Sequence, residues 1–302
     1  MDSKELVFCT VVYPVRSSEI NAVLLVESLR AFAGKFSESD IWVFMPDYGE
    51  QLSEQAVERL NRLGVKIFPF VVDRADLKFF FMGEILAVAL AEAMAADQHQ
   101  IVVWMDSNTV VLREPAELEL QGSFQLGYRP VHHLLLGSRY DQPLDPFWSL
   151  VYQTCNVPQQ RVFPMKPVVE DLRMRPYFNA GILASRPQNG LFGEWKDTFV
   201  RNYRSEEFQP FYENDRRYII FLHQAILSAV ILCKFDRDEL LELPWTYNYP
   251  LHLFDQDQTA MRPDRLEELV TFRHEGFHQQ AAWGDRIPAG EALKNWLSAH
   301  VL

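Results

Sequence analysis

Cysteine is scarce in this chain: Cys9, Cys155 and Cys233 are the whole complement, odd in number, far apart and without a CxxC pair. No disulfide framework or thiolate zinc site follows from them, and a reducing, cytoplasmic setting is the expectation. Positive charge is also short, with 29 Lys and Arg against 41 Asp and Glu and a formal charge of -12. Such a surface does not suit a nucleic-acid backbone, so no nucleic-acid partner is expected, although a local basic pocket for one small anion is compatible with it. Long apolar runs are missing, since no stretch reaches the roughly 18 to 20 continuous apolar residues that span a bilayer. The start MDSKELVFCTVV passes from charge straight into a strand-like run, without the apolar core of a signal peptide. The first βα turn lacks GxGxxG and no GxxxxGK occurs, which disfavours a classical dinucleotide or P-loop enzyme. A serine elbow, HExxH and an EF-hand are absent as well, and no internal repeat or low-complexity tract stands out.

What is present is an ordinary globular balance over 302 residues, 48% hydrophobic and 23% charged, enough for one large domain or two small ones. Hydrophobic periodicity alternates between strand and helix in the first third. Strands are expected at 6–13, 41–45, 65–72 and 101–105, and helices at 17–32, 52–63 and 79–96. Pro69 places the third strand near an edge, and Glu84 and Glu92 mark 79–96 as a packed helix of a soluble fold. The order predicts an α/β fold: a mostly parallel central sheet flanked by helices, with ligands beyond the carboxyl ends of the strands. Past residue 114 the rhythm breaks, with strands expected at 124–130 and 177–187 and helices at 143–154, 191–203, 216–232 and 290–297. No linker is convincing, so one continuous domain over 1–302 is favoured.

The sharpest local signal is IVVWMDSNTVVL, a buried strand that emerges into Asp106, Ser107 and Asn108. Asp106 and Asn108 can turn two oxygens toward one cation, though an amide oxygen binds a hard ion less well than a second carboxylate. The same residues also suit a plain polar turn. Asn179, Ala180 and Gly181 set an amide beside two small residues in an apolar strand, which suits either close approach by a ligand or a bulge. Glu170-Asp171 and the group Asp236, Asp238 and Glu239 keep a hydrolase open.

The Asp106 to Asn108 stretch resembles the aspartate-any-aspartate motif of nucleotide-sugar glycosyltransferases with the GT-A fold, most like the retaining glycogenin and galactosyltransferase-like group. FNAGILASRP from Phe178, the sequence His223-Gln224-Ala225 and LPWTYNY from Leu243 follow in family order. The resemblance implies a single GT-A-like domain whose residues 1–112 hold the nucleotide and whose residues 113–302 hold sugar and acceptor. It further implies Tyr13, Lys78, Asp106 and Ser107 against the nucleotide, Asn179, Ala180, Gly181 and Gln224 around the donor sugar, and a divalent metal, Mn2+ or Mg2+, on Asp106, Asn108 and His274.

Three positions depart from the family. Asn108 stands for the second aspartate, His223 precedes Gln224 where aspartate is usual, and Arg273-His274-Glu275-Gly276 lacks the lysine that follows the family's late histidine and glycine. Metal and diphosphate contacts are the groups affected, with Lys78, Arg129 and Arg186 as other sources of positive charge. The expectation is a transferase moving a sugar, with retention, from a nucleotide-diphosphate donor, UDP-linked, to an unidentified acceptor. A nucleotide-sugar-binding relic without turnover and a structural or interaction protein are the alternatives. No catalytic residue is named by the sequence.

Overall fold

The structure, a computed structural model, describes residues 5–276 and 288–300. β1 (Leu6–Val11), β2 (Asp40–Asp47), β3 (Lys66–Val71) and β4 (Ile101–Met105) are parallel, in the order β3-β2-β1-β4. Helices α1 (Arg16–Phe32), α2 (Glu54–Arg62) and α3 (Met82–Ala95) make the crossovers. β3, which carries Pro69, is the edge strand that its proline called for. β2 and β3 lie on one side of β1 and β4 on the other, so the chain reverses its winding between β1 and β4. The crevice beyond the carboxyl ends of those two strands is where an α/β sheet receives a ligand.

β5 (Thr109–Val111) leaves this sheet after a short turn, while β6 (Leu126–Pro130), β7 (Phe178–Ser185) and β8 (Leu240–Glu242) extend it. The full order is β3-β2-β1-β4-β7-β6-β8, with β7 antiparallel to both neighbours and β6 parallel to β8. A second sheet forms from β9 (Tyr249–Pro250), β10 (Thr271–Arg273) and β5, with β10 in the middle. The later helices are α4 (Pro146–Cys155), α5 (Leu191–Asn202), α6 (Gln209–Asn214), α7 (Arg217–Lys234) and α8 (Glu291–His300).

Alternation along β1 divides the core. Val7, Cys9 and Val11 pack on the side of α3, α5 and α7, whereas Leu6 and Phe8 pack on the side of α1. α7 is helical throughout, as the pattern at 216–232 predicts. It is long and apolar enough to cross a membrane, yet 61% of it is buried inside the fold against α4, α5 and β7. Two of its side chains take backbone donors of β7: Ser228 Oγ accepts from Phe178 N at 3.0 Å and Gln224 Oε1 from Ala180 N at 2.9 Å. One helical turn separates Ser228 from Gln224 and two strand residues separate Phe178 from Ala180, so one helix face meets one strand edge. The helix expected at 143–154 starts later, at Pro146, because Asp145 caps it by accepting from Trp148 N at 3.0 Å.

Candidate active site

β4 ends at Met105, and Asp106 N is held by Gly181 O at 2.9 Å, which fixes the aspartate at the open end of the sheet. The second sheet completes the arrangement. β10 pairs antiparallel with β5 in a register that sets Arg273 opposite Thr109, and His274 N donates to Asn108 O at 3.0 Å. Arg273 is thereby carried to Asp106 across the turn. Its Nη2 lies 2.9 Å from Asp106 Oδ2 and 2.8 Å from Glu275 Oε1, and Asn108 Nδ2 donates to that same Glu275 oxygen at 2.8 Å. The side chains of Arg273 and Asp106 are only 13% and 15% exposed, so this pairing is far less screened than a surface one.

The group opens into a cavity of about 300 Å³ whose wall is shared by both halves of the chain. Phe81, Glu84, Trp104 and Asp106 come from the parallel half; Asn179, Ala180, Gly181, His223, Gln224 and Arg273 come from the other. His132, His133 and His252 line it as well. Asn179 Oδ1 accepts from Gly181 N at 2.7 Å, and a side-chain hydrogen bond joins Tyr177 to Gln224. Gly181 is small because Arg273 needs the room: a Cβ there would stand 2.6 Å from Arg273 Nη1 and 3.2 Å from Asp106 Oδ2.

Burial dominates the electrostatics. It raises the Asp106 carboxyl above the ordinary aspartate range, with Arg273 opposing and Glu275 adding to the rise. Glu84 is pushed up to about 7, first by burial and then by the Asp106 charge, although its hydrogen bond from Tyr13 Oη at 2.8 Å favours the anion. Burial lowers His223 to about 3, and its ring stacks on Phe81 with centroids 4.3 Å apart. Phe81 itself has φ 65° at the start of α3, a left-handed conformation that costs a bulky residue energy and that this packing sustains. His132 and His252 are held below the usual imidazole range, by burial first, with the Arg273 charge acting in the same direction.

The structure gathers Asp106, Asn179, Ala180, Gly181 and Gln224 around one cavity. Tyr13 stands behind it as the partner of Glu84, and Ser107 is half-buried in the turn before β5. The side chain of Lys78 lies outside the described part of the structure. His274 is fully buried and away from the cavity wall, with Nδ1 accepting from Gly276 N at 3.0 Å. Of the cations weighed from sequence, Arg129 donates to Leu243 O at 2.7 Å and Arg186 to Leu120 O at 2.7 Å, and neither lines this cavity. Arg273 and Glu84 were missed as site residues. Glu84 left a signal, a carboxylate inside an alanine-rich helix, whereas Arg273 is marked only by the pairing of β10 with β5. The carboxylate pairs that kept a hydrolase open fasten loops instead: Glu170 Oε2 accepts from Leu134 N at 2.6 Å, and Asp236 and Glu239 form a capping box.

The residues expected to hold a divalent ion do not fit one as they stand. Asp106, the one carboxylate among them, is paired with Arg273 Nη2, which Glu275 Oε1 also holds, and His274 Nδ1 accepts from Gly276 N. Asn108 Oδ1, buried and without a partner among the described residues, is a single neutral donor. No cluster of three or more His, Cys, Asp or Glu side chains suited to a metal occurs among the described residues.

Residues 9–233 match the sequence model of the Rhodobacterales glycosyltransferase domain. No curated protein matches the chain in sequence. Among solved structures, the apo form of the WbbM bifunctional glycosyltransferase superposes with a TM-score of 0.55 at 16% identity, over 91% of this chain and 46% of WbbM, so the chain spans about half of that protein. An active-site mutant of LgtC gives 0.51 at 14% identity over 97% of this chain and 95% of LgtC. Apo GlyE of Streptococcus pneumoniae TIGR4 gives 0.51 at 12% identity over 99% of this chain and 61% of GlyE. At these identities the likeness is one of fold, and the fold is the GT-A arrangement of a mostly parallel seven-stranded sheet between helices. The family match covers well over half of the chain, which therefore belongs to the Rhodobacterales glycosyltransferase domain family and is a GT-A glycosyltransferase.

Proposed function

We propose that the protein transfers a sugar from a UDP-linked donor to an acceptor hydroxyl, with retention at the anomeric carbon. The observation that carries this reading is the cavity between the carboxyl end of β4 and the start of β7, lined by Asp106, Arg273, Asn179 and Gln224. Residues 1–112 then serve the nucleotide, and residues 113–302 the sugar and acceptor, with Arg273 crossing to the nucleotide side. Cleavage of the bond between the anomeric carbon and the β-phosphate oxygen leaves added negative charge on the diphosphate, and the strongest catalysis comes from groups already aimed at that charge. Asn179 and Gln224 line the cavity with amides whose oxygens are held by backbone N–H groups, and their amide N–H donors suit the hydroxyls of a bound sugar. Retention is carried by the resemblance in Phe178 to Pro187 and His223 to Ala225.

The test is a donor panel with direct binding and transfer or donor hydrolysis measured side by side. N179A and Q224A should slow transfer by roughly 10- to 100-fold while changing UDP affinity little, because UDP lacks the group they contact. Equal weakening of donor and UDP would remove both residues from the sugar site. Donor bound intact, with no transfer or hydrolysis across the panel, would replace the transferase reading by that of a nucleotide-sugar binder.

A further inference from the structure

We propose that Arg273 is the resident cation of this site and binds the donor's diphosphate, so that nucleotide binding needs no divalent ion. The inference rests on the proposed nucleotide-sugar reading and deepens it. A small divalent ion sits about 2.1 Å from its oxygen ligands, and here Asp106 Oδ2 and Glu275 Oε1 are 2.9 and 2.8 Å from one guanidinium nitrogen. Their convergence positions an arginine.

Arg273 also retains capacity to bind. A guanidinium has five N–H donors in a plane, matched to phosphate oxygens. Nη2 serves the two carboxylates, while Nε is buried with no partner among the described residues. His132 Nε2 is a second buried polar atom in the cavity wall with no partner among the described residues. A buried guanidinium N–H without a partner is costly, and a diphosphate in the cavity that Arg273 lines would offer acceptors to this side chain, while the neutral His132 donates or accepts according to its tautomer. Gly181 supports the assignment, since any side chain there would collide with Nη1. One carboxylate charge stays uncompensated by Arg273, and this lowers the expected UDP affinity.

The test uses the full chain and titrates UDP by calorimetry, once in EDTA and once with excess Mn2+. Affinities that agree within about twofold support the inference, as does a loss of roughly tenfold or more in R273Q under both conditions, with R273K retaining part of the binding. Thermal unfolding run alongside shows whether R273Q is folded, and the comparison of EDTA with Mn2+ on the unaltered protein stands without any variant. UDP binding that appears only with Mn2+ overturns the inference and leaves the nucleotide-sugar reading in place. If neither UDP nor any other nucleoside diphosphate binds under either condition, the functional reading falls and the inference with it.

Discussion

Two arginines, Arg129 buried and Arg273 partly buried, line two different cavities. Arg129 lines a second cavity with Trp245, its Nη1 donating to Leu243 O at 2.7 Å and lying 3.5 Å from Glu242 Oε1. Arg273 lines the first cavity and is held by two carboxylates, with no backbone carbonyl among the hydrogen bonds described for it. Each has a buried Nε without a partner among the described residues. The difference lies in what anchors them. Arg129 ties β6 to the segment that follows β8, and burial lowers it to about 10, so its charge is an expense tolerated for a mechanical link. Arg273 is placed by charge, and oxygens that hold a cation by charge also leave it facing a site where other anions can approach.

The largest effect that tests this comparison is on folding. Arg129→Ala removes the donor to the Leu243 carbonyl and one of the partners of Glu242, and should destabilise the protein by about 2 to 4 kcal/mol in urea unfolding. UDP affinity should stay within about threefold of the unaltered protein. A large loss of UDP binding in a folded Arg129→Ala protein would mean that the two cavities act as one, and the distinction between the arginines would fail.

A somewhat smaller effect concerns the acid that only the first cavity buries beside Asp106. Folded Glu84 keeps its proton to about pH 7, whereas its ordinary value is 4.5. The folded state therefore binds more protons across that window, and this stability is present below pH 4.5 and lost as pH rises through 7. Glu84→Gln, which can still accept from Tyr13, should be more stable than the unaltered protein by on the order of 2 to 3 kcal/mol at pH 8 and nearly equal to it at low pH. Parallel stability curves for the two proteins between pH 4.5 and 8 would show that Glu84 does not titrate in this way.

The smallest effect sharpens the comparison at Arg273 itself. Gly181→Ala introduces a Cβ 2.6 Å from Arg273 Nη1 and 2.8 Å from Asn179 Oδ1, so the guanidinium and the Asn179 side chain must give way. UDP affinity should fall about tenfold, equivalent to about 1.4 kcal/mol, with circular dichroism unchanged. Unaltered UDP binding would mean that Arg273 can leave its place without consequence, and it would then resemble Arg129 in having only a packing role.

Legibility in the sequence followed the range of the interactions. The parallel half reads well because period 2 and period 3.6 alternate there within one or two turns of chain, and β4 falls at the expected 101–105. β5 and β8 did not read, since three residues are too few to show a period and each exists only through a distant partner. The same limit governs the site. Asp106 is visible as the polar residue ending an apolar strand, and Asn179 as an amide within one. Arg273 is visible only as a letter in TFRHEG, where the neighbouring His274 attracts attention as a metal ligand. Alternation at the end of β10 leaves Arg273 in the cavity wall and His274 outside it. His132 and His252, whose ring centroids lie 5.9 Å apart, belong to no local pattern at all.

The pairing of β10 with β5 has a bearing on biosynthesis. Asn108 and Glu275, which it brings together, are 167 positions apart. A nascent chain can have folded its whole parallel half, with Asp106 exposed at the end of β4, while Arg273 is still unsynthesised. Closing a loop of that length is entropically unfavourable, though the cost grows only slowly with length, and the pocket's walls meet when the last quarter of the chain docks. On the proposed reading, ligand binding then reports completion: a product that ends before β10 has Asp106 without Arg273, and its crevice lacks the cation that a diphosphate would meet.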